Sequence, residues 1–183
     1  MAKRVDIQGS RFEWIEKLDV SSGVENAPRM FTELSVAAGI VSLCVLLHVF
    51  GILLMARALF TFQDRLLKTQ RGIRYFVLLI VLFAINMLLH VTAAIIWAVF
   101  YYSRALFSDF ETSLYFSLAS YTTIGYGDVV LTPSWRLLGA IEGISGVLLC
   151  GISTAFMFAV LNAMFRIWME NKQPGVASRV GNL

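Results

Sequence analysis

Charge is scarce in this chain, and the places where it is missing decide the fold class. Asp, Glu, Lys and Arg make up 15% of the 183 residues, against 58% apolar residues. An average soluble domain carries roughly 25% charged residues. None of the four occurs in residues 34–56 or 75–102, and in residues 137–165 there is one, Glu142. Each stretch is longer than the ~20 apolar residues that a helix needs to cross a bilayer core. Three such stretches leave too little polar chain to cover a soluble core, so the pattern predicts an integral membrane protein.

Other scarcities exclude further classes. The two cysteines, Cys44 and Cys150, both lie inside apolar stretches, without disulfide or metal spacing. There they behave as small hydrophobes. No Cys/His cluster is spaced for zinc and no nucleophile sits beside a base, so neither an enzyme nor a resident cofactor is expected. The net charge is +3 and no basic stripe lies on a soluble domain, which argues against nucleic acid as a partner. No apolar run precedes Leu34, so no signal peptide is expected.

What is present divides the chain into five parts. Residues 1–33 form a polar tail, with Phe12, Trp14, Ile15 and Leu18 near helical spacing. Ser21, Ser22, Gly23 and Pro28 predict a loop before the first span. Residues 34–56 form an additional transmembrane helix. Residues 57–74 are a basic linker, with Arg57, Arg65, Lys68, Arg71 and Arg74 against Asp64. The positive-inside rule makes this linker cytoplasmic and the N-terminus external.

Residues 75–168 then contain a second span, a short external loop over 103–110, an apolar piece over 112–122, and a last span after Pro133. The apolar piece is too short to cross a bilayer and reads as a re-entrant or buried helix. Residues 169–183 are a short cytoplasmic tail. The fold class expected is all-α, with three transmembrane helices, a re-entrant pore helix and an extended filter.

The apolar piece runs into Thr122-Thr123-Ile124-Gly125-Tyr126-Gly127-Asp128. In an ordinary strand successive carbonyls point to opposite sides. Turning them all one way requires some residues to take left-handed angles, which glycine does without a Cβ clash, so Gly125 and Gly127 fit. Extended backbone at membrane depth is tolerated where it is buried in protein or lines a water-filled path. A row of such carbonyls can replace the water shell of a permeating cation.

Residues 122–128 resemble the signature of the pore-loop potassium channels, and the order of helix, pore helix, filter and helix over about 75–168 is similar too. The chain looks like a small three-span subunit of the prokaryotic type. The resemblance implies that the carbonyls of Thr123, Ile124, Gly125 and Tyr126 coordinate permeant K+, with the Thr123 hydroxyl closing the innermost site. It implies that Gly127 turns the chain at the outer mouth. Asp128 would brace the filter through a pore-helix aromatic. Tyr115 and Phe116 stand where the family often has tryptophans, and Tyr115 is the one that can hydrogen-bond. Where some members carry a glutamate four residues before the filter threonine, this chain has Ala119. Four identical chains around one axis are also implied.

Several polar residues in the spans remain to be placed. Glu142 is expected to pack behind the filter near Ser117, Ser120 or Tyr121, the alternative being a cavity-facing charge. Gly139, Gly143, Gly146 and Gly151 allow close packing in the last span, and Gly146 and Gly151 are the candidate gating hinges. His48 and His90 are read as hydrogen-bonded packing residues or as pH sensors, with Asn86 one turn from His90 as its partner. Arg65, Lys68, Arg71 and Arg74 recur every third residue as in a voltage sensor. The first span has no Asp or Glu to stabilise such charges, so contact with anionic lipid is the expectation. The reading is a potassium-selective channel subunit. The rivals are a less selective cation channel and a non-conducting scaffold or accessory subunit.

Overall fold

A computed structural model of the protein describes residues 20–67 and 72–172, and among the described residues there is no strand. Among the described residues four helices follow one another: α1 (Val20–Leu67), α2 (Gly72–Ser103), α3 (Phe110–Tyr121) and α4 (Arg136–Lys172). Three stretches within α1, α2 and α4 are long and apolar enough to cross a membrane: Met30–Thr61, Phe76–Ser103 and Arg136–Arg166. α3, with 12 residues, would span only about 18 Å. It packs against both α2 and α4. The protein is an all-helical, multi-pass membrane protein.

α1 is longer than its apolar run. The loop expected at Ser21–Pro28 is helical, and α1 also continues through the first half of the expected 57–74 linker. A lone proline removes one backbone hydrogen bond and crowds the preceding turn, which weakens a helix locally without having to end it. Of the basic residues singled out there, Lys68 and Arg71 lie outside the described residues, as does the side chain of Arg65. The side chain of Arg74 is exposed near the start of α2.

α2 ends in a turn rather than at a glycine. Ala105 takes φ 51°, and Leu106 N–H returns to Tyr101 O at 3.1 Å. A left-handed residue just after the last turn, with a bond reaching back across it, satisfies carbonyls that the helix leaves open. The turn leads to Asp109, the N-cap of α3. Its carboxylate accepts from Thr112 N–H at 2.7 Å, from Thr112 Oγ1 at 2.9 Å and from Ser108 Oγ at 2.7 Å. These donors, the Thr112 backbone first, hold the Asp109 carboxyl below its ordinary range. An acidic cap satisfies open N–H groups and complements the helix dipole, so the start of α3 is fixed at one residue.

Among the described residues the core has two centres. One gathers Trp97, Tyr101, Phe116, Tyr121, Leu138 and Leu149 with Ala37 and Cys44 of α1. The other joins Met55, Leu82 and Val160. α3 lies in a groove of small residues on α4. A Cβ added at Gly139 would come 3.1 Å from the Phe116 ring, and one at Gly143 would come 3.1 Å from Ser120 O. One at Gly146 would strike the carbonyl oxygen of Tyr121. α4 is continuous through Gly146 and Gly151. Gly146 therefore has a packing reason to be glycine, while a Cβ at Gly151 would meet nothing within 4 Å.

Candidate functional site

α3 ends at Tyr121, and the segment over 122–128 leaves its C-terminus without regular secondary structure. Its first turns are tied back to the helix. Thr122 N–H reaches Leu118 O at 3.1 Å and Thr122 Oγ1 reaches the same carbonyl at 2.6 Å. Thr123 N–H reaches Ser120 O at 2.9 Å, and Gly125 N–H reaches Ala119 O at 3.1 Å. Beyond these bonds the backbone alternates. Thr123, Gly125 and Gly127 have φ of 61°, 55° and 80°, while Ile124 and Tyr126 between them stay on the negative side. A strand of uniform sign sends successive carbonyls to opposite sides. Reversing every second residue undoes that alternation and brings them toward one side. Glycine takes such angles freely; Thr123 does so with a branched Cβ, which is uncommon and was not legible from glycine positions.

The segment lies on the surface of the single chain. Residues 122–128 are all exposed, Ile124 by 55% and Tyr126 by 69%. Beside it, an open groove of about 480 Å³ runs between the segment and α4, with Thr123, Gly125, Ala140, Ile144 and Val147 in its wall.

Two polar arrangements stand behind the segment. Tyr115 Oη donates to Asp128 Oδ2 at 2.7 Å, so the pair singled out in the sequence is in contact. This bond holds the Asp128 carboxyl below its ordinary range and raises the Tyr115 phenol above its own. Phe116 is turned inward instead, edge-on to Tyr101 at 5.3 Å between ring centroids. Glu142 is fully buried and accepts from Ser117 Oγ at 2.5 Å and Tyr101 Oη at 2.7 Å. Of its expected neighbours it meets Ser117, and it faces packed protein rather than a cavity. Tyr101 went unnoticed as its partner. The signal was present: a carboxylate inside a span has to be met by polar groups from neighbouring spans, and Tyr101 is one of few.

The expected pairing of His90 with Asn86 does not form. His90 Nδ1 lies 2.9 Å from Tyr121 Oη, and its Nε2 lies 3.1 Å from Ser153 Oγ. Asn86 Oδ1 is buried without a hydrogen-bond partner among the described residues. Neighbours four apart on one helix are close, but here Tyr121 of α3 and Ser153 of α4 occupy both ring nitrogens. No group of three or more metal-binding side chains occurs among the described residues.

Residues 87–163 match the family model described as "Ion channel". The match runs from α2 through α3 and the 122–128 segment into α4, and it supports an ion channel there. No curated protein and no solved structure matches the chain.

Proposed function

We propose that this chain is one subunit of a tetrameric, potassium-selective channel that conducts passively through residues 123–127. The observation that carries this reading is the alternation of left-handed residues at Thr123, Gly125 and Gly127, in a run spelled Thr-Thr-Ile-Gly-Tyr-Gly-Asp between two spans. The carbonyls of Thr123, Ile124, Gly125 and Tyr126 then replace the water around K+. A ring of carbonyls with intact Tyr126 and both glycines suits a dehydrated cation better than a wide, water-filled pore does. Gly127 turns the outer mouth, the Tyr115–Asp128 bond braces it, and Glu142 ties the last span to the helices behind. The end of α3 adds the negative pole of a helix dipole close to the path.

One strand cannot enclose an ion, and this one lies on the outside of its chain. Four copies around an axis close the path, and cyclic symmetry is the usual way for identical subunits to share one. In this reading the basic 57–74 stretch and the C-terminus are cytoplasmic and the N-terminus is external. Arg65, Lys68, Arg71 and Arg74 meet anionic lipid, each worth about 1 kcal/mol near the surface. Neutralising Arg65, Lys68 and Arg71 together weakens the dependence of activity on anionic lipid. An unchanged lipid dependence counts against that partner.

The test is the purified protein in planar bilayers with opposed potassium and sodium gradients. A reversal potential that follows potassium is expected. One that follows sodium, or lies between the two, favours the less selective channel. A silent bilayer containing inserted protein favours the scaffold.

A further inference from the structure

Four polar side chains that conduction itself does not use meet inside the protein, one from each helix. His48 Nε2 of α1 lies 2.5 Å from Ser153 Oγ of α4, and His90 Nε2 of α2 lies 3.1 Å from the same oxygen. His90 Nδ1 lies 2.9 Å from Tyr121 Oη of α3. The two imidazoles are 4.6 Å apart between centroids. His48, Ser153 and Tyr121 are buried, with His90 half-buried between them. The result is one chain of hydrogen bonds: Tyr121, His90, Ser153, His48. Its inner end matters, because Tyr121 is the last residue of α3, directly before Thr122 and Thr123, and its carbonyl rests on Gly146.

The proton count of this chain is tight. Ser153 has one hydroxyl proton and serves two ring nitrogens. With both rings neutral and the serine proton kept inside the chain, there are two ways to satisfy the bonds. Tyr121 donates to His90, His90 to Ser153 and Ser153 to His48, or every bond runs in reverse. In either case His48 Nδ1 is left over, and it is buried without a partner among the described residues.

In the first arrangement an added proton breaks the chain: on His90 it makes both ring nitrogens donors, and Tyr121 has to turn its O–H elsewhere, while on His48 it makes Ser153 accept from both rings, and the serine proton has to leave the chain. In the reverse arrangement a proton on His90 likewise turns the serine proton out, and one on His48 enters Nδ1, where it breaks no bond but leaves a buried N–H without a partner among the described residues. Either way a positive charge appears in a buried site. The ionisable groups facing it are Cys44 from α1, Tyr121 from α3, and Cys150 and Glu142 from α4; from α2, Asn86 is polar but does not titrate. The one carboxylate among them, Glu142, is engaged by Tyr101 and Ser117. A buried charge without a paired counter-charge is costly.

We propose that His48 is a positioning residue for the conduction segment. It acts through Ser153 and His90 on Tyr121, and one proton taken up by the histidine pair releases that hold and lowers conduction. The proposal rests on the channel reading above, and it gives the additional span α1 a direct connection to the pore.

The full chain is reconstituted in vesicles loaded with potassium, and efflux is followed at equal pH on both faces from about 8 to about 5, across the ordinary titration range of histidine. Wild-type efflux falls with acid, by up to about tenfold per pH unit for a single proton. His48→Gln and Ser153→Ala lose that acid response, whatever their efflux at pH 8. Ser153→Ala keeps both rings and carries the test if His48→Gln does not fold. Wild-type efflux that is flat with pH overturns the proposal. So does an acid response in both variants equal to that of the wild type, which would place the sensor elsewhere, Asp128 included. If the inserted wild type passes no potassium at any pH, the channel reading is what fails. Thermal unfolding in detergent then decides the histidine chain: acid lowers the wild-type midpoint more than that of His48→Gln, and equal slopes overturn it.

Discussion

At the scale of single residues, the proposed conduction segment separates two kinds of constraint that glycine can meet. A Cβ placed on Gly125 would touch nothing within 4 Å, yet its φ is 55°. Gly125→Ala therefore costs backbone energy and not space, about 1–2 kcal/mol in each chain. The expected outcome is normal membrane insertion with loss of potassium-selective efflux; wild-type efflux from the variant would count against this segment as the path. Asp128 supplies a second prediction. Its folded pKa is held below the ordinary value by Tyr115, so the contribution of this bond is present above the unfolded pKa and is lost as pH falls through the folded one. Tyr115→Phe removes the donor and returns Asp128 toward its ordinary range. Activity measured against external pH should then begin to fall at higher pH in Tyr115→Phe than in the wild type. Coincident acid limbs would show that the bond does not hold the outer mouth.

At the scale of helices, the groove on α4 yields opposite predictions for two glycines that look alike in sequence. Gly146→Ala drives a methyl group into the Tyr121 backbone, and overpacking of this kind typically costs 1–3 kcal/mol. Gly151→Ala meets open space within a continuous helix, where exchanging glycine for alanine gains roughly 0.5–1 kcal/mol. Melting of the purified protein should shift down for the first and up for the second. If Gly151→Ala also abolishes gating while raising the midpoint, that glycine serves as the hinge. The spans themselves were legible because membrane crossing leaves a local signature, the absence of charge over 20 residues or more. The cap of α3 was not singled out, although Asp109 and Thr112 are close in the chain. What was not legible depended on distance. His48 and Ser153 are 105 positions apart, and Tyr101 and Glu142 are 41 apart. No periodicity links such pairs. Asn86 was preferred for His90 because it lies one turn away on the same helix, whereas Tyr121 and Ser153 reach the ring from other helices. The start of α1 was missed for a related reason: Ser21, Gly23 and Pro28 each lower helix propensity, but propensity is a weak prior once a helix is long.

At the scale of the whole molecule, α1 is the element that an enclosed pore does not require. With 48 residues it extends about 72 Å, more than twice the thickness of a bilayer core. It is nonetheless not a bystander, because it contributes Ala37 and Cys44 to the main core and His48 to the polar chain. The 122–128 segment, by contrast, is carried on the outside of its own chain. In a four-chain channel that exposure makes each subunit the owner of one quarter of a shared wall, and a faulty quarter spoils the whole. Co-expressing equal amounts of wild-type and Gly125→Ala chains that mix at random would leave about one assembly in sixteen with four sound quarters. The mixture would then conduct at about 6% of the wild-type level instead of half, so one defective gene copy would silence most of the product of its healthy neighbour.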